Sequence, residues 1–170
     1  AEIVVFERSG YISYANCGLP YYIGGTIEDE GDLTLQTPES FYKRFRVGMN
    51  VHHEVTAIHP EKKTVTVKNL QNGEVFEESY DKLILSPGAK PVKPKFEGID
   101  SDKIFTLRTV EDTLKIKKHI DENHPKSAVI VGGGFIGIEV AENLSELGID
   151  VTLVEAADQL MAPFDRDMAS

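Results

Sequence analysis

At 170 residues the chain has room for one ordinary domain or two small ones, and its 41% hydrophobic and 27% charged residues provide apolar side chain enough for a core. The net charge of −10 and pI near 4.9 argue against nucleic acid, whose phosphates need a basic face. No apolar run reaches the length of a membrane span, no signal-peptide pattern opens the sequence, and the single cysteine cannot form an internal disulfide, which fits a reducing cytoplasm.

The sequence opens on a β-branched run, Ile3-Val4-Val5-Phe6, closed by Glu7. This predicts a buried parallel strand with an acid at its C-terminal edge. A parallel strand needs a crossover partner and nothing precedes this one, so the expectation is a piece of a longer protein that begins inside a βαβ unit. The stretch SYANCGLPYYIGG follows, with Cys17 between Asn16 and Gly18. A packing cysteine belongs in an apolar run, and this one lies in a polar turn.

Thr37-Pro38-Glu39 predicts a helix start. Residues 50–89 then read as strand-rich: TVTVK alternates, Asn72-Gly73 signals a hairpin, and KLIL (82–85) predicts a short buried strand. The proline-rich SPGAKPVKPKFEG reads as a connection. Val110, Leu114, Ile116 and Ile120 then recur at helical spacing, and a second α/β unit closes the chain. No solenoid repeat is visible, but EIVVFE near the start echoes DVTLVE near the end, each a strand closed by glutamate.

The second unit carries the strongest local signal. An apolar strand, AVIV, runs into Gly132-x-Gly134-x-x-Gly137, then an amphipathic helix, then the strand VTLVE ending at Glu155, eighteen residues after Gly137. In a dinucleotide fold the first glycine permits the turn, the second lets the backbone approach a pyrophosphate, and the third lets helix and strand pack closely. The helix N-terminus offers free N–H groups to phosphate. Glu155 can accept hydrogen bonds from ribose hydroxyls and would repel a 2′-phosphate, favouring NADH over NADPH. By the echo, Glu7 would hold the ribose of a second dinucleotide; alone, a strand-end glutamate is more often simply solvated.

Metal chemistry finds no support. His52 and His53 are adjacent and would face opposite sides of a strand, while His59, His119 and His124 fall in loop-like or helix-surface contexts. The charge clusters EKK, KIKK and IEDEGD read as solvated faces.

Together the loop FERSGYISYANCGLPYYIGG, the segment YDKLILSPGAKPVKP and the glycine motif resemble the pyridine nucleotide-disulfide oxidoreductases over essentially all 170 residues. The resemblance is to the single-cysteine branch, which holds coenzyme A-disulfide reductases, NADH oxidases and NADH peroxidases. Asn16 before the cysteine and Leu19-Pro20 after it look most like the coenzyme A-disulfide reductase loop; oxidases and peroxidases usually have Ser before the cysteine and Met-Gln after the following Gly. Ser86-Pro87-Gly88 departs from the more common Ala-Thr-Gly.

The resemblance implies an α/β fold with two Rossmann-like domains, both incomplete, three-layered and with a β-meander in the first. FAD would be bound by residues 1–107 and NADH by residues 108–170. Glu7, Arg8 and Ser13 would contact FAD, Ser13 being equally readable as a turn-forming hydroxyl. Cys17 would be the redox centre facing the flavin, and Asn16 would bond the substrate or thiolate, or satisfy a turn. Tyr21 and Tyr22 would pack beside coenzyme A or in the core. Phe135 would gate the nicotinamide side of the flavin or simply pack, and Glu139, an acid near the helix start, would lie by the nicotinamide.

Electrons would pass from NADH through FAD to Cys17, held in a mixed disulfide with coenzyme A. The partners implied are a small-molecule disulfide, or oxygen or peroxide, and a second copy of the protein in a homodimer that completes the site. An oxidase, peroxidase or persulfide reductase cycling Cys17 through an oxidised sulfur state is the alternative, and a non-catalytic nucleotide-binding fragment is a third. By itself this stretch is expected to be inactive.

Overall fold

A computed structural model describes residues 1–169. The chain divides into two compact units that interleave along the sequence: residues 1–14 with 34–89, and residues 15–33 with the segment from Lys90 onward.

In the first unit, strand β1 (Val4–Phe6) pairs in parallel with a later strand, and β2 (Ser13–Tyr14) pairs antiparallel with β3 (Thr34–Gln36). The partner of β1 is β4 (Gly48–Asn50), which follows helix α2 (Pro38–Phe45). Thr37 caps α2 as its sequence requires. Its hydroxyl accepts from Ser40 N–H, the Ser40 hydroxyl accepts from Thr37 N–H, and Pro38 opens the first turn, where no amide donor is missed.

The expected meander follows as β5 (His53–His59), β6 (Thr64–Asn69) and β7 (Val75–Ser79), antiparallel in that order. Val65 and Val67 are buried from the central strand, and the rings of Phe6, His53 and Phe76 meet one another tilted or edge-on. The Asn72-Gly73 turn forms as expected, with Gly73 at positive φ and its N–H donating to the Asn69 carbonyl at 2.9 Å.

In the second unit, β8 (Ser127–Val131) and β9 (Asp150–Val154) run parallel, joined through helix α4 (Phe135–Glu146). Helix α3 (Val110–Asn123) precedes them, closed at its N-terminus by a capping box between Thr109 and Asp112. A short helix, α1 (Leu19–Gly24), leads away from the cysteine turn. Ile23 from α1, Leu144 from α4 and Ile149 form the buried centre, covered by Leu107, Ile116, Ile120, Ala128, Ile130, Val140 and Val151. Of the apolar stripe read on residues 110–120, Ile116 and Ile120 pack on this core and Val110 is fully buried, while Leu114 is half-buried and not part of the cluster.

Three local expectations fail. The KLIL segment is no strand and is not buried: among the described residues no ladder partner lies beside it, and Ile84 is 88% exposed. A strand without a neighbour leaves its amides and carbonyls to water, so apolar composition alone does not make one. Strand β1 is parallel as predicted, but Ile3 and Val4 are exposed rather than buried. His52 is not in a strand with His53; it sits in a turn at positive φ, with β5 beginning one residue later, while His59 is the last residue of β5 rather than in a loop. No described helix is long and apolar enough to cross a membrane.

Helices α1 and α4 meet at one glycine. A Cβ on Gly24 would stand 2.7 Å from Asn143 Cβ and overlap its Oδ1. Asn143 is 1% exposed and its Nδ2 already donates to the Glu139 carbonyl at 2.8 Å, so it has little freedom to move. Gly→Ala inside a helix ordinarily stabilises by about 1 kcal/mol. Here overpacking, at about 1–3 kcal/mol, opposes and exceeds that gain. Gly24→Ala is expected to lower the denaturation midpoint, read by chemical unfolding; a rise would show that α1 does not pack this closely.

Candidate active site

The glycine loop sits between β8 and α4. Gly132 has φ +109°, a conformation L side chains avoid, and its N–H donates to the Val154 carbonyl at 2.8 Å, tying the turn to β9. A Cβ on Gly137 would overlap the Gly132 carbonyl oxygen and stand 3.5 Å from Ile130 Cγ2, so this position holds the helix against the strand. Gly134 is different. It caps α4 with extended backbone and no side-chain acceptor, and a Cβ there would meet nothing within 4 Å. The loop therefore offers open space at the helix N-terminus together with the unsatisfied donors of the first turn, the arrangement a pyrophosphate requires.

Glu155 follows β9 directly. Its Oε2 accepts from Gly133 N–H at 2.6 Å and its Oε1 from Ala157 N–H at 2.8 Å. The backbone N–H groups of Ala157 and then Gly133 hold this carboxyl below the ordinary glutamate value. A depressed folded-state value stabilises above the unfolded value, 4.5, and that contribution disappears as pH falls through the folded value. Glu155→Gln is therefore expected to melt below the unsubstituted protein at neutral pH, with the gap closing as pH is lowered below 4.5, in a pH series of thermal melts. A gap that stays constant would show that the charge on Glu155 does not hold the loop.

Phe135, the first residue of α4, is 54% exposed and packs edge-on against Phe164, ring centroids 5.8 Å apart. Glu139 lies in the second turn of α4, because the helix begins at Phe135; the dipole argument for an acid in the first turn does not apply to it.

Cys17 is exposed and free. It lies in a single 3₁₀ turn, Asn16–Gly18, immediately before α1. The turn is held by Ala15 N–H donating to the Leu33 carbonyl and Gly18 N–H to the Ala15 carbonyl, each at 2.9 Å. Gly18 packs closely there, since a Cβ would stand 3.0 Å from Ile27 Cδ1, which would have to shift to admit it. Downstream, the fully buried Ile23 fixes α1 in the core shared with α4. Asn16 Oδ1 accepts from Arg108 Nη1 at 3.2 Å. The same unit thus carries the cysteine turn, the glycine loop and Glu155. Tyr21 and Tyr22 are both half-buried.

In the first unit, Glu7 directly follows β1 and its Oε1 accepts from Ser9 N–H at 2.7 Å. Arg8 is largely exposed and 3.8 Å from Glu54, a weak surface pair. Ser13 is half-buried in β2. No group of three or more metal-ligating side chains occurs among the described residues. Sequence reasoning missed Arg108; its only signal was a cation just before a capping Thr109.

The sequence pattern of the pyridine nucleotide-disulphide oxidoreductases matches residues 1–170. The chain belongs to that family. The coenzyme A disulfide reductase of Staphylococcus haemolyticus is 46% identical over 168 residues, covering 99% of this chain and 38% of that protein. Among solved structures, reduced Bacillus anthracis CoADR-RHD superposes with a TM-score of 0.96 at 54% identity, over 99% of this chain and 30% of that one. The water-forming NADH oxidase of Lactobacillus brevis, bound to NADH, gives 0.90 at 37% identity, over 99% of this chain and 37% of that one. The chain therefore spans well under half the length of the relatives it matches. The expected α/β fold is that of FAD- and NAD(P)-binding Rossmann-type oxidoreductases.

Proposed function

We propose that this chain carries the cysteine and much of the nucleotide-binding surface of an NADH-dependent, FAD-containing coenzyme A-disulfide reductase acting in the cytoplasm as a homodimer. The observation that carries the reading is the exposed, unpaired Cys17, flanked by Asn16 and Gly18 on a turn that α1 anchors in a core shared with the glycine-loop helix. Two relatives with that activity in their names are also more similar to this chain than the NADH oxidase is.

By cofactor, residues 1–107 would serve FAD and residues 108–170 NADH. Gly132, Gly134 and Gly137 would receive the NADH pyrophosphate, Glu155 its adenosine ribose, and Glu7, with Arg8 and Ser13, would serve FAD. Phe135 and Glu139 would lie on the nicotinamide side. When bound, the two cofactors carry an electron pair from NADH to the sulfur centre. The Cys17 thiolate attacks one sulfur of coenzyme A disulfide, the S–S bond breaks, and one coenzyme A thiolate departs. The S–S bond of the mixed disulfide left on Cys17 would break as it takes the electron pair, giving back the Cys17 thiolate and a second coenzyme A thiolate, each coenzyme A thiolate taking a proton from solvent. One cysteine suffices because the substrate brings the other sulfur.

Steady-state NADH oxidation by the complete protein tests this. Coenzyme A disulfide is expected to drive turnover; consumption driven by oxygen or peroxide, with coenzyme A disulfide adding nothing, would replace the reading with an oxidase or peroxidase cycling Cys17 through sulfenic acid. Glu155→Gln is expected to raise the ratio of NADPH to NADH use by roughly tenfold, since it removes one charge facing a 2′-phosphate. An unchanged ratio would take Glu155 away from the ribose.

A further inference from the structure

We propose that Arg108 is a positioning residue for Cys17 chemistry, acting through Asn16; the inference rests on the disulfide-reductase reading. Arg108 stands 92 residues from Asn16 in sequence, yet its Nη1 donates to Asn16 Oδ1 at 3.2 Å. Arginine has donors only, so the atom facing it must be the amide oxygen. With the oxygen held, the Asn16 amide turns its Nδ2 donors away from Arg108; they make no hydrogen bond to Cys17 Sγ in this structure, which leaves them for a thiolate or a substrate acceptor.

The anchor is rigid for a physical reason. Arg108 N–H and Thr109 N–H both donate to Asp112 Oδ2 at 3.1 Å, so the capping box of α3 fixes the arginine's backbone. Val110 and Thr113 of the same helix are fully buried. No ion pair neutralises Arg108 among the described residues, and the other four salt-bridge positions on basic side chains lie elsewhere. A guanidinium outside every ion pair among the described residues, which donates instead to the neighbour of an exposed cysteine, is better explained by control of that neighbour than by surface charge balance.

The test uses the complete, FAD-loaded protein after reduction, following alkylation of Cys17 by iodoacetamide with mass detection. Arg108→Met is expected to slow alkylation about tenfold, the size of one lost hydrogen bond to a charged group. Asn16→Ala should slow it by the same factor, and the double variant no further than either single one. Arg108→Lys, which can still donate to Asn16 Oδ1, should recover most of the rate; it also decides the matter if Arg108→Met fails to hold flavin. Multiplying effects in the double variant, no effect of Arg108→Met, or Arg108→Lys as slow as Asn16→Ala would each overturn the proposal. The two readings fail separately. An inert Cys17 in the unsubstituted protein sinks the reductase reading and this proposal with it, whereas failure confined to the variants removes only the role of Arg108.

Discussion

Cys17→Ser is expected to leave reduction of the flavin by NADH intact while lowering turnover with coenzyme A disulfide by ~10³-fold or more, since the residue that acts as nucleophile has no substitute. The expectation follows from the turn. Serine fits where cysteine stands, because the site is exposed and the local bonds of Ala15 and Gly18 are backbone bonds that do not involve the sulfur. Folding is therefore spared and the chemistry is not: a hydroxyl neither forms a disulfide nor carries an anion at neutral pH. Rapid mixing with NADH, followed by steady-state assay of the same preparation, separates the two half-reactions. Turnover that survives would mean that electrons leave the flavin by a route that does not pass through Cys17.

The second expectation contrasts two glycines three residues apart. Gly137→Ala places a methyl group into the Gly132 carbonyl, a backbone atom that cannot swing aside, so α4 must lift away from β8. This should cost about 1–3 kcal/mol of stability and, by displacing the helix N-terminus, weaken NADH binding at least tenfold. Gly134→Ala fills space that no protein atom occupies. Its stability loss should stay within about 1 kcal/mol, that of a poorer helix cap, while NADH binding falls at least as far as in Gly137→Ala. Thermal melts paired with NADH titration read both. If Gly134→Ala left NADH affinity untouched, the open space beside α4 would not be where the pyrophosphate sits.

Most of the second unit was legible in the sequence because its signals are local and agree with one another. The glycine spacing, the apolar strands on either side and the terminal glutamate all follow from backbone constraints within thirty or so residues, and β8, α4 and β9 appear where they point. Thr37 and Asn72-Gly73 were legible for the same reason. KLIL was misread because a strand is defined by its neighbour, and composition does not reveal whether one is present. The solvent exposure of Val4 follows from the same non-local dependence.

The site divides in the same way. Cys17 and Asn16 stand out as a polar break around a lone thiol. What holds them was not readable: Ile23 reaching into a core with Leu144 and Ile149, Gly24 against Asn143, and Arg108 on Asn16 all join segments about ninety residues or more apart. Glu139 was placed one turn too early because the helix start was taken from Gly137 rather than from Phe135.

The most direct measurement is the intact mass of the complete protein, purified without added thiol, before and after a reductant. The account predicts a reducible adduct with the mass of coenzyme A, mapped to the peptide that carries Cys17. A single added oxygen trapped by a sulfenic-acid reagent, or a Cys17 that carries nothing and reacts with nothing, would contradict it.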